Sequence, residues 1–234
     1  MESKIRSLEN QLKTLRVILL ALLIPCVLLL LYAFSKPEKK EIIRVKGIIV
    51  EDENGKERIL IGAPIPYARN RARTDTVKIK EKWAVGMGSD YMKWYRDYDH
   101  SSNGIVLLDQ NGWDKVVIGD PVPDPIIGKR IGPGTGIVIN DAKGLERTGY
   151  SVISVDGKLR VVLGLDHSNG TEGAALSVLP DGSVGLYLDS KNNSVFAGSV
   201  KPDHWKSPDK KEFTGIIITD STNHTRTITA GKKK

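Results

Sequence analysis

The stretch from Gly47 to Pro64 reads GIIVEDENGKERILIGAP, and the stretch from Gly104 to Pro121 reads GIVLLDQNGWDKVVIGDP. Both contain a glycine, an apolar run, Asp-x-x-Gly, a second apolar run and a closing Gly-x-Pro. Aspartate is favoured at the first position of a type I turn because its carboxylate accepts backbone N–H bonds, and glycine is favoured at the fourth, where φ is positive. Each stretch is therefore predicted to form a β-hairpin.

Looser copies of this phrase follow, and together they make about six units of one repeat. The looser copies begin at residues 136, 151, 174 and 215, and the last of them lacks the turn glycine. Hairpins are predicted over residues 47–62, 104–119, 151–164 and 174–188.

The repeated hairpins need something to pack against. One hairpin alone cannot bury its apolar face, and runs of three apolar residues indicate strands that are at least partly covered on both faces. The units must therefore pack on one another or on copies from other chains. Repetition of one unit favours a solenoid-like or prism-like β-architecture, and an ordinary β-sandwich of similar hairpins is the alternative.

The second feature of the chain is its composition after the N-terminal region, which predicts an all-β domain over residues 47–234. The 23 glycines suit a protein dense in turns, and no amphipathic helix is expected after residue 40. Residues 67–103 interrupt the repeat and form a predicted aromatic insert.

Residues 17–34 read VILLALLIPCVLLLLYAF and carry no charge. At about 1.5 Å per residue such a helix just spans a bilayer core, so the segment is a predicted transmembrane helix. A cleaved signal peptide is the alternative, but the apolar run is longer than most signal cores. Residues 35–46 are expected to form a linker to the β-domain.

Residues 1–16 are predicted to form a short amphipathic helix that continues into the membrane segment. The leucines and isoleucine recur at spacings of 3 and 4, which is the heptad pattern of a coiled coil. This pattern favours a homo-oligomer such as a trimer, whereas the alternative is a lone helix on the membrane surface. The seam consists of Ile5, Leu8, Leu12, Leu15, Leu19 and Leu22.

The net charge of +7 lies before residue 83, beside the apolar segment. That position suits anionic lipid head groups, so membrane lipid is an expected partner. Binding to nucleic acid needs a basic patch with stacking aromatics, and Arg69, Arg71 and Arg73 are the one candidate group. No nucleic-acid partner is expected.

The aromatic insert is the predicted partner-binding site. Exposed tryptophan and tyrosine dominate protein-binding hot spots, and they also stack on sugars. Trp94 and Tyr95 are predicted to anchor a protein–protein contact, while the alternative is that the aromatic side chains pack over the β-core. The candidate residues are Trp83, Tyr91, Trp94, Tyr95 and Tyr98.

Catalytic chemistry is not expected. Three histidines follow an aspartate, at His100, His167 and His204, but no third group accompanies them at a spacing typical of metal ligands. Polar turns are the preferred interpretation of these pairs. The single cysteine, Cys26, lies inside the apolar segment, and no cofactor or metal site is predicted.

A hairpin phrase behind a single N-terminal membrane helix resembles uncharacterised bacterial membrane-anchored proteins with Asp-x-x-Gly repeats. The matching residues are 48–52, Gly55, Arg58 and 59–61, and then 105–109, Gly112 and 115–118. The resemblance implies no known activity or site residue.

We therefore expect a non-enzymatic accessory or structural subunit of a membrane protein assembly in the cell envelope. The expected location is the bacterial inner membrane, with a single span and the C-terminal domain in the periplasm or outside the cell. The alternative function is an adhesin or carbohydrate-binding module that uses the aromatic insert.

Overall fold

The computed structural model describes residues 1–35, 42–85, 87–123 and 132–229, with only the backbone for residues 33–35. The chain forms two units, Met1–Arg44 and Val45–Lys234. The first unit contains one helix, α1 (Glu2–Ser35), which includes Pro25. This helix covers both the predicted amphipathic helix and the predicted membrane helix. Half of the predicted linker, residues 36–41, lies outside the described residues.

The second unit is built on one antiparallel sheet of twelve strands, and the order of the strands in the sheet is their order in the chain. Two short helices, α2 (Thr76–Lys82) and α3 (Tyr91–Asp97), lie between the second and third strands. The strands are β1 (Gly47–Glu51), β2 (Glu57–Gly62), β3 (Asn103–Leu108), β4 (Asp114–Asp120), β5 (Gly134–Asn140), β6 (Glu146–Val155), β7 (Lys158–Asp166), β8 (Glu172–Val178), β9 (Val184–Ser190), β10 (Asn193–Val200), β11 (Phe213–Thr219) and β12 (Thr225–Thr229).

The predicted hairpins are confirmed, since β1–β2, β3–β4, β6–β7 and β8–β9 are all antiparallel pairs. In the first turn the Asp52 carboxylate accepts hydrogen bonds from the Asn54 and Lys56 amides at 2.9 and 3.1 Å. Gly55 has φ +71° and donates its amide to the Asp52 carbonyl at 2.9 Å. The turn chemistry expected from the sequence is therefore present.

The same pair of backbone hydrogen bonds recurs in six turns of the sheet. In each turn the first residue donates its amide to the carbonyl of the fifth, and the fourth residue donates to the carbonyl of the first. The turns span residues 52–56, 109–113, 141–145, 167–171, 179–183 and 220–224. The last turn has Asn223 where the others have glycine, with φ +63°. Asparagine tolerates this conformation better than most residues, which explains how the last copy forms without its glycine.

The expectation of no helix after residue 40 is wrong, because the insert contains α2 and α3. Asp75 caps α2, its carboxylate accepting from the amides of Val77 and Lys78 at 3.0 Å each. In α3, Tyr91 and Tyr95 are both buried. They are one helical turn apart and so share a face. Each helix has only seven residues, too few to show a helical period in the sequence.

The sheet has two different faces. The covered face is overlaid by the insert along β2–β5, where Leu60, Val106, Val117 and Val138 are buried in one core cluster with insert side chains. Near the other end of the sheet, Phe196 and Ile217 are buried. The His204 ring lies beside the Phe196 ring, with the two ring centroids 5.9 Å apart. The opposite face, which we call the open face, keeps exposed apolar side chains in the described part of Val45–Lys234.

The domain is thus mainly a twelve-stranded antiparallel β-sheet built from hairpins, as the all-β interpretation predicted. The prediction that both faces of the strands are at least partly covered is met on one face, by the insert and the residues around Phe196.

Candidate interaction surface

The open face is defined by the register of the strands. Paired residues in an antiparallel sheet lie on the same face, and residues two apart in a strand also share a face. The pairings connect one apolar residue from every strand into a row that crosses the whole sheet. This central row is Ile48, Ile61, Ile105, Ile118, Ile137, Tyr150, Leu163, Leu176, Leu186, Ala197, Ile216 and Ile228.

A second row lies two residues along each strand on the same face. It is apolar at every position except Thr148 and Arg226, and Arg226 stands on the last strand at the edge of the sheet. The second row is Val50, Ile59, Leu107, Val116, Ile139, Thr148, Leu165, Ala174, Leu188, Val195, Ile218 and Arg226.

The side chains of these rows are accessible to solvent in the single chain. Leu163 is 39% exposed, Leu176 is 48% exposed and Leu165 is 51% exposed. Residues one position away, such as Val117 and Val138, are 2% and 1% exposed on the covered face. Strand alternation therefore separates a core from an apolar surface.

The size of the open face distinguishes it from ordinary surface. Twelve strands about 4.8 Å apart and two rows of side chains give a surface about 55 Å wide and about 14 Å high, or roughly 750 Å². The largest apolar patch on a typical monomer is about 300–600 Å² and is often functional. The open face is thus larger than the largest apolar patch of a typical monomer.

Sequence reasoning did not identify the open face, although the signal was present. The apolar runs indicated which residues form strands, but a run of three does not show which alternate residues meet a core. Which alternate residues are buried is decided by the position of the insert, which covers only one face of the sheet.

Three of the five predicted aromatic residues lie in the core. Trp83, Tyr91 and Tyr95 are 6%, 4% and 1% exposed. The Trp83 ring stacks on Trp113 with centroids 5.1 Å apart, and its Nε1 donates to the Lys143 carbonyl at 2.9 Å. These side chains attach the insert to the turns of the hairpins.

The other two predicted residues remain accessible. Trp94 is 56% exposed on the outer side of α3, and Tyr98 is half-buried at its end, where its ring meets His100. Partner binding by the aromatic set stays a prediction. Only these two side chains have the exposure to contact a partner directly.

A buried ion pair holds the insert on the sheet. Arg71 in the insert donates Nε and Nη2 to the two carboxylate oxygens of Asp114 on β4, at 2.8 and 2.6 Å. Burial raises the pKa of Asp114, but the charge and hydrogen bonds of Arg71 outweigh it, so the pKa lies below its ordinary value. Removal of one partner would leave the other charge buried and uncompensated.

His100 completes this network as a neutral ring. Its Nδ1 accepts from Arg73 Nε at 3.1 Å, which leaves Nε2 to donate to the Tyr95 carbonyl at 2.6 Å. Burial, and next the positive charge of Arg73, lower the pKa of His100 to about 4. With both ring nitrogens engaged inside the core, His100 serves the fold of the insert.

The other two Asp–His pairs lie in separate turns, as the sequence predicted. His167 Nε2 lies 3.0 Å from the Asp189 carbonyl, and His204 Nδ1 accepts from the Lys206 amide at 3.1 Å. Within the described ranges, no three His, Cys, Asp or Glu side chains are grouped closely enough to hold a metal ion.

A groove of about 370 Å³ lies on the covered face between the areas under the insert and under His204. Arg160, Glu172, Tyr187 and Trp205 are among its lining residues. Burial, and next the charge of Asp166, raise the pKa of Glu172 above its ordinary value. The groove thus combines a mainly apolar lining with a few polar and charged side chains.

The first unit carries a second apolar surface. One helix is long and apolar enough to cross a membrane. The leucines of its N-terminal heptads are exposed, including Leu8 at 61% and Leu15 at 63%.

No family model matches this chain, and comparisons with curated proteins and with solved structures find no match either.

Proposed function

We propose that this chain is a non-catalytic, membrane-anchored subunit that builds a protein assembly through its open face. The observation that carries the proposal is the pair of apolar rows across all twelve strands. A soluble monomer gains nothing from such a surface, which promotes aggregation unless a partner covers it. A sheet stabilised on its other face by the insert can offer these rows to a partner without losing its own core.

The proposed location is the bacterial inner membrane, with α1 as the anchor and the sheet outside the cytoplasm. The uncharged segment of α1 and the resemblance to bacterial membrane-anchored proteins support it. A cysteine at the exposed position Ser221, in a Cys26→Ser background, tests the orientation with an impermeant maleimide on cells with a permeable outer envelope. Labelling in intact cells supports the proposal, and labelling only after lysis reverses it.

Replacement of apolar residues by lysine on the open face tests the assembly role. The full-length protein is extracted in a mild detergent, and the protein mass of its complex is measured by light scattering. The wild type should have the mass of an assembly, and a variant with Ile118→Lys and Leu163→Lys should have the mass of one chain. Both positions are solvent-exposed in the single chain, so the variant should keep its fold.

Val77→Lys is the matched control, because Val77 is 66% exposed on α2 in the insert, away from the open face. This variant should keep the wild-type mass. A wild type with the mass of one chain, or a double lysine variant with an unchanged mass, would contradict the proposed function.

A further inference from the structure

We infer that the occupant of the open face is a second copy of this same chain. This inference rests on the proposed function and names its partner. The apolar rows then pack against the rows of another copy, as a sandwich of two sheets or a prism of more. The solenoid, prism or sandwich predicted from the repeat would then form between copies of the chain and not within one chain.

The chemistry of the open face favours a copy over a different protein. Charged and polar groups give an interface its partner specificity, and Arg226 at the edge is the one ionised side chain in the two described rows. Permanent homomeric interfaces are the most apolar class. A neutral surface of branched aliphatic side chains matches another surface of the same kind.

The size of the face agrees with this partner. The surface of roughly 750 Å² is close to the ~800 Å² that each partner contributes to a standard stable interface. Two sheets with apolar inner faces pack with their strands within about 30° of each other and interdigitate their side chains. The regular rows on the open face supply the apolar inner layer that such packing requires.

The heptad seam on α1 gives an independent reason for a second copy. Ile5, Leu8, Leu12 and Leu15 recur at spacings of 3, 4 and 3 and are all exposed. A seam of this kind is buried by another helix with the same repeat. Each unit of the chain therefore carries an apolar surface that a second copy of that unit would cover.

The bilayer is a weaker occupant for the open face. Surfaces that lie on a membrane combine apolar residues with a basic rim and interfacial tryptophan. The two rows contain a single aromatic residue, Tyr150, and a single basic residue, Arg226.

Crosslinking between single cysteines tests the inference. In full-length Cys26→Ser protein in native membranes, Ile61→Cys, Leu163→Cys and Ile216→Cys place one reporter near each end and one in the middle of the central row. Packed sheets lie about 10 Å apart, so a short bismaleimide is used rather than disulfide formation. It is added in excess and for long enough that even slowly reacting reporters are consumed. Co-expression in all pairs brings two reporters within reach when the sheets stack strand on strand, in the same or in the opposite order.

We expect at least one pair to form a crosslinked dimer, and Val77→Cys, in the insert, to form none. Adding Leu176→Lys beside the central reporter should reduce the dimer at least tenfold. If the reporters resist labelling but no pair crosslinks, another protein or lipid covers the face. That result overturns the second copy and leaves the proposed function standing. If the reporters label freely, the open face is uncovered, and both the second copy and the proposed function are overturned.

Discussion

At the scale of single residues, the fold depends on a positive φ at the fourth position of the repeated turn. Gly55 and Gly112 occupy equivalent positions with φ +71° and +83°, but their surroundings differ. Open space surrounds Gly55, whereas a Cβ on Gly112 would lie 1.7 Å from the Asn70 carbonyl oxygen in the insert. A substitution at Gly55 therefore measures backbone strain alone, whereas the same substitution at Gly112 measures backbone strain and a steric clash together.

Gly55→Ala should lower the free energy of unfolding by about 1–2 kcal/mol, the cost of a left-handed conformation for a residue with a Cβ. Gly112→Ala should cost more, because the insert must move as well. Gly55→Asn is the control and should cost less than Gly55→Ala, since Asn223 adopts this conformation in the last turn. Urea unfolding followed by tryptophan fluorescence measures all three, and equal losses at positions 55 and 112 would contradict the packing argument.

His100 gives the fold a defined pH dependence. Its pKa is about 4 in the folded chain, against about 6.5 for an ordinary histidine. Between these values the unfolded chain binds a proton that the folded chain does not, so stability should fall as the pH drops from about 6.5 to about 4.

His100→Gln should make the melting temperature less dependent on pH in this range. His224→Gln is the control, because the His224 side chain is exposed in the last turn. Both variants keep all the other titratable groups, so the difference between their slopes reports on His100. An unchanged slope in His100→Gln would show that this ring does not carry the effect.

At the scale of elements, α3 places the predicted aromatic residues in two different environments. Trp94 points outward, and Tyr95 is buried, with its hydroxyl donating to the Arg73 carbonyl at 2.9 Å. Two neighbouring residues of one motif thus have opposite environments, because consecutive side chains on a helix point about 100° apart.

Tyr95→Ala should lower the free energy of unfolding by about 3–5 kcal/mol, as for other large aromatic core residues. Trp94→Ala should change it by no more than about 0.5 kcal/mol. Thermal or urea unfolding distinguishes the two variants. A large loss in Trp94→Ala with little loss in Tyr95→Ala would contradict the positions assigned to these side chains.

The hairpins were predictable from sequence because each turn is encoded locally. Asp52 and Gly55 make their hydrogen bonds within five residues. The helices of the insert were not predictable, because their burial depends on contacts such as Arg71 with Asp114, 43 residues apart. The aromatic residues were rightly identified as unusual, but their composition alone did not distinguish a core from a surface.

At the scale of the whole molecule, the sheet has a hydrophobic core on one face and an exposed apolar surface on the other. The insert and the residues around Phe196 cover much of one face of the sheet, and the open face has the composition of a core but is exposed in the described part of Val45–Lys234. We propose that assembly supplies this cover. The repeat explains why the surface is regular, because each strand adds one position to each of the two rows, and these positions are apolar except at Thr148 and Arg226.

The rate of maleimide labelling at the centre of the open face tests this account most directly. In native membranes containing Cys26→Ser protein, Leu163→Cys is compared with Val77→Cys, and both rates are divided by those of the denatured protein. The single chain exposes these positions at 39% and 66%, a difference of less than twofold. We expect Leu163→Cys to react at least tenfold more slowly than Val77→Cys, because a second copy covers Leu163. Rates within twofold of each other would show that the open face is uncovered.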